Sequence, residues 1–166
     1  IALYLPTEFV NLAGGDEWLN KAQAVFDKAR KDPTVENVQA AYDEFAHYGQ
    51  ALKDNNKLYG GFDRSTLGVV PLFGQFGVAS INVGGVGIPY TDDTFTVKSM
   101  VGTELHRLHA KNAKEFYDKG YIASDIASKK FTEWNTLKDG SYNNSTYVIK
   151  LKNAYSDASD VPQSAV

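Results

Sequence analysis

His106 and His109 stand three residues apart, with Glu104 beside them, and are the first side chains to test for chemistry. An H-x-x-H pair can give zinc two of its four donors. Helical geometry turns such a pair about 60° apart, and the one other histidine of the chain is His47. Histidines on the flank of a packed helix account for the pattern better, so no metal site is expected. Gly85 and Gly87, and Gly74 and Gly77, resemble pieces of phosphate-cradling loops. Neither continues as G-x-G-x-x-G or G-x-x-x-x-G-K-[ST], and turns or close strand packing explain them. Nucleophilic catalysis needs a Ser, Thr or Cys beside an oriented base. The chain has no G-x-S-x-G elbow, and its three histidines all fall on expected helices. Asp92 and Asp93 form an acid pair of the kind turns use. No catalytic residue and no cofactor is therefore expected, and the chain does not read as an enzyme.

Binding has more to work with. The chain holds ten tyrosines, nine phenylalanines and two tryptophans, most of which core packing would account for. Aromatic rings offer a flat apolar face with a polar handle and suit sugar or peptide ligands. Trp134 follows an expected loop, and Tyr90 and Tyr121 sit at element ends. These three are the candidate ligand-binding residues. Asn112 lies near the middle of an apolar helix face, where its amide must find a hydrogen-bond partner; a backbone group on a neighbouring loop is expected.

The elements that would position these residues follow from periodicity. Residues 99–125 read as a long amphipathic helix: with Val101 at zero on the helical wheel, Leu105, Leu108 and Phe116 fall within about 60°. Gly120 supplies the stop, because glycine takes the left-handed conformation that closes helices. Leu105 and Phe116 are expected in the core. Upstream, residues 1–5 are an apolar strand or entry segment ended by Pro6. A helix over 16–31 starts with Asp16 as N-cap and turns Trp18, Ala22, Val25 and Ala29 to one side. The Asp32, Pro33, Thr34 sequence breaks it and caps a second helix over 35–54, because the residue before proline avoids the helical region. Val35, Val38, Tyr42, Phe45, Gly49 and Leu52 share its face. The two helices are expected to pair antiparallel.

Residues 65–91 carry no charge across 27 positions. Six glycines, Pro71 and Pro89 make this a poor membrane helix, and strands over 69–73, 76–81 and 86–90 are expected instead. Residues 95–97 and 146–151 read as further strands, and 132–137 as a helical turn. Residues 156–166 are polar and aperiodic and read as a frayed end. A net charge of −3 offers no basic stripe for nucleic acid. The absence of cysteine excludes disulfides and thiolate sites. The first residue is Ile1, and no apolar leader is visible, so the chain reads as a single domain over 1–166 belonging to a longer or processed protein.

Several phrases carry a resemblance. Thr94-Phe95 and Ser99, followed by residues 113–125 (AKEFYDKGYIASD), are similar to the extracellular solute-binding proteins of bacterial ABC importers, where a helix closes on a "YxKGYIxxD"-like phrase. Residues 32–38 (DPTVENV) resemble the "PxTxEE/DL" start of a helix in the second lobe. Residues 131–140 (FTEWNTLKDG) resemble a stretch ending "FxxGK" before a strand of that lobe. The resemblance implies an α/β fold, one lobe of a periplasmic-binding-protein-like architecture with a mixed sheet and packed helices. It implies binding of a carbohydrate or related solute, a sugar or a peptide, outside the cell. The membrane permease of the importer would be its partner, and a lipoprotein leader outside this chain its anchor, with no membrane insertion of this segment itself. One lobe alone would bind its solute weakly or not at all. The alternative is a non-enzymatic cell-surface domain for protein interaction or structure.

Overall fold

A computed structural model describes residues 2–58, 78–80, 86–89, 92–122, 150–152 and 163–165. Strand β1 (Ala2–Pro6) runs directly into helix α1 (Thr7–Ala13), then α2 (Gly15–Lys31) and α3 (Val35–Asp54). Strands β2 (Val78–Ser80), β3 (Val86–Pro89) and β4 (Lys98–Ser99) precede helix α4 (Glu104–Asp118). Strands β5 (Lys150–Lys152) and β6 (Gln163–Ala165) follow.

Helix ends are set by local chemistry. The side chain of Thr34 accepts from Asn37 N at 3.2 Å, and Asn37 Nδ2 donates back to Asp32 O at 2.8 Å, so two side chains at the start of α3 tie the α2–α3 corner. Thr103 caps α4 in the same way, accepting from His106 N at 3.2 Å. Helix α2 departs from expectation, because Gly14, with φ 124°, stands at its N-cap and Asp16 lies inside the first turn. A Cβ at position 14 would come within 3.0 Å of Trp18 Cβ, so the chain turns where only glycine fits.

Helix α4 starts at Glu104, later than the sequence suggests, and Val101 lies outside it and exposed. Its C-terminus is a full Schellman motif. Gly120, at φ 74°, donates to Tyr117 O at 2.9 Å, and Tyr121 N donates to Phe116 O at 2.8 Å. The apolar contact that goes with this motif is present: the Tyr121 and Phe116 rings meet edge to face at 5.6 Å. Helix α3 closes likewise on Asn56, at φ 55°, with Lys57 N donating to Leu52 O at 2.8 Å. Asparagine is the residue besides glycine that tolerates this conformation best.

Among the described residues the core lies between the four helices. From α2 come Trp18, Ala22, Phe26 and Ala29; from α3 come Val38, Ala41, Tyr42, Phe45, Tyr48 and Leu52. Trp18 stacks on Tyr48 at 5.5 Å and Phe26 meets Phe45 at 4.8 Å, so contacts descend α3 as they climb α2 and the pair is antiparallel. Helix α1 adds Phe9, Val10 and Ala13, and α4 adds Leu108 and Phe116, with Leu105 half-buried at the edge. Val35 is exposed, because the first turn of α3 overhangs the face that its neighbours bury.

Strand β1 pairs antiparallel with β5, Leu3 opposite Leu151, and with β6, Leu5 opposite Ser164. The first strand thus lies beside residues 150–152, at the end of the strand expected over 146–151, and the terminal segment read as frayed supplies β6. Strands β2, β3 and β4 form a second antiparallel sheet in that order. These findings correct the α/β, periplasmic-binding-protein-like lobe. A mixed sheet needs parallel neighbours joined by crossover helices. Here α1, α2 and α3 follow one another with no strand between, and each described pairing is antiparallel. Among the described residues the fold is mostly helical. The expected strand at 69–73 and the helical turn at 132–137 lie outside them.

Phe116 and Tyr117 are sequence neighbours that point about 100° apart on α4, one buried and one exposed. Phe116→Ala should lower stability by about 3–5 kcal/mol, and Tyr117→Ala by no more than about 0.5 kcal/mol. Denaturant midpoints of the two variants check this, and equal shifts would place the wrong face inward. Gly120→Ala meets no atom closer than 3.8 Å. It should still lose about 1–2 kcal/mol, from the left-handed backbone alone.

Candidate functional site

Three groups of polar and aromatic side chains have the residue types for chemistry. The first lies between α3 and α4. Tyr42 and His109 are buried, and the Tyr42 hydroxyl meets His109 Nδ1 in a short hydrogen bond. Burial pushes the Tyr42 phenol above its ordinary range, so it stays protonated. Burial, and to a smaller degree the nearby His106, lower the His109 pKa from 6.5 to about 4. One turn further on, Asn112 and Gln39 exchange amide hydrogen bonds at 3.0 and 3.1 Å, and Asn112 also donates to Leu108 O at 3.0 Å. The partner of Asn112 is thus a side chain on the facing helix and its own helix backbone, not a neighbouring loop. This seam is closed to solvent at His109 and Asn112. It can register two helices, but it cannot meet a substrate.

The second group surrounds Glu44, a buried carboxylate. Trp18 Nε1 donates to Glu44 Oε2 at 2.9 Å, and Lys21 Nζ lies 2.7 Å from Oε1. His47 Nε2 donates to Ala13 O at 2.7 Å, satisfying a carbonyl at the end of α1. Each partner here is a helix element being fastened to another, so the group reads as structural.

The third group sets exposed side chains around the Asp92 carboxylate, which is itself 8% exposed. Residues 92–98 turn tightly before β4. Asp92 N donates to Pro89 O at 2.9 Å, and its Oδ1 accepts from Thr94 N at 2.9 Å and from Thr94 Oγ1 at 2.5 Å. With the Thr94 proton committed to Asp92, the Thr96 hydroxyl donates to Thr94 Oγ1 at 2.5 Å. Lys98 Nζ closes the ring 3.0 Å from Asp92 Oδ2. The Thr94 hydroxyl foremost, then Lys98, holds the Asp92 carboxyl down to about 2. Inside this clamp Phe95 has φ 54°, in the left-handed region. A bulky aromatic is rare there, and the conformation carries strain of about 1–3 kcal/mol. Phe95 is also 77% exposed, with Val97 at 51% and Val101 at 62% beside it in sequence. Val86, opposite Ser99 of β4, is exposed as well. Met100, between Val97 and Val101 in sequence, is buried.

Of the residues singled out from sequence, Tyr121 is 3% exposed. Its hydroxyl donates to Gln50 Oε1 at 2.8 Å, and its ring packs on Phe116. Trp134 and Tyr90 lie outside the described residues. His106 and His109 do not converge, since one is half-buried and the other turns into the α3 interface. Among the described residues no three His, Asp or Glu side chains stand together as a metal group requires. No described helix is long and apolar enough to cross a membrane. Phe95 is not among the residues singled out from sequence. Its one sequence signal is the acid-rich turn just before it, which places it at a tip but says nothing of its backbone angle. No protein-family model, curated protein or solved structure matches this chain.

His109 makes stability pH-dependent with a definite sign. The unfolded chain takes up this proton near 6.5 and the folded chain only near 4. Between those values the unfolded state binds more protons, so the contribution is complete above pH 6.5 and fades as pH falls toward 4. The full change is on the order of 3 kcal/mol. His109→Gln should flatten this part of the stability–pH curve in urea titrations at several pH values. An unchanged slope would mean that another group sets it.

Proposed function

We propose that this chain is a non-catalytic binding component, serving as the solute-binding part of a bacterial importer in the sense its sequence phrases imply. The observation that carries the reading is Phe95, an aromatic ring held in a strained backbone and turned to solvent. Strain of this kind persists where the surroundings over-determine it, and it concentrates at ligand clamps and switch segments. Here the surroundings are the Asp92, Thr94 and Lys98 clamp, which fixes the turn without using Phe95. A preset ring loses little freedom on binding a flat ligand face. Thr94 and Phe95 also belong to the phrases that carry the resemblance.

A second reading, a protein-interaction surface, is favoured by the openness of the same residues. Small-ligand sites enclose most of their ligand, whereas Phe95, Val97 and Val101 each keep more than half of their surface in water.

Two variants separate binding from folding. Phe95→Gly relieves the left-handed strain and should stabilise the chain by roughly 0.5–1 kcal/mol, the relief less the added chain entropy. It should also abolish binding. Phe95→Ala should abolish binding without that gain. Backbone amide NMR spectra titrated with oligosaccharides and short peptides should show shifts confined to residues 92–101. A panel that moves no resonance there would sink the solute reading. Loss in Phe95→Ala of association with a cell-surface protein other than an importer permease, with the solute panel silent, would favour the second. Destabilisation by Phe95→Gly would show that the ring serves the fold.

A further inference from the structure

We draw no further inference here: the strongest candidate, the exposed apolar patch of Phe95, Val97 and Val101 between β3 and α4, belongs to the surface already described, and nothing in the structure shows what covers it.

Discussion

Helix α3 is packed against α1, α2 and α4 at once, and this enclosure constrains everything around it. A helix buried on several sides must match each polar group it carries, because an unmatched one loses its hydration for nothing. Several polar residues of α3 have partners on neighbouring elements. Asn37 ties back to Asp32, Gln39 pairs with Asn112, Glu44 takes Trp18 and Lys21, and Gln50 accepts from Tyr121. Tyr42 is the centre of the arrangement, with its ring against Phe45, Phe116 and His109 and its hydroxyl on His109. Apolar packing supplies most of the attraction, but it is tolerant of sliding. Directional bonds from Gln39, Tyr42 and Gln50 are spread along the helix, so α4 and its closing turn can seat in one register.

The same logic explains which parts of the fold are legible in the sequence. Helices α2 and α3 are long, their apolar faces repeat at helical spacing, and Pro33 and Thr34 punctuate them. Such signals are local and add up over many residues. Helix α1 was not legible: its seven residues follow a strand-like run and stop before two glycines, too short for periodicity to show. The expectation for 95–97 failed for a different reason. Val, Thr and Phe have strand propensity, but the Asp92 clamp ends the extended backbone first, and β4 begins only at Lys98. Strand β6 was invisible because three polar or small residues gain their place from the edge of β1, a partner more than a hundred and fifty residues away.

Of the candidate ligand-binding residues only Tyr121 lies among the described residues, and it is buried. Tyr121 was selected for standing just past a helix end, a place that often faces a ligand. The Schellman closure instead folds that position back onto Phe116, and its hydroxyl goes to Gln50. Phe95 stands in no helix or long strand, and composition does not distinguish it from eight other phenylalanines. What distinguishes it is a backbone angle and its exposure, and both come from the hydrogen bonds of its neighbours.

The phrases behind the family resemblance can be divided by what they do. Residues 32–38 hold a helix cap, and residues 116–122 hold a helix closure: Thr34, Asn37, Gly120 and Tyr121 are accounted for by backbone groups and packing. Any chain that must start or stop a helix at a tight corner meets the same requirement, so these phrases can recur in unlike folds. That is why the mixed-sheet lobe did not follow from them. Function is carried by sites and not by punctuation. Thr94 and Phe95 are the part of the resemblance that punctuation does not exhaust. The threonine is used up by the turn, while the phenylalanine is held out by it, with no role in the core that its exposure would permit.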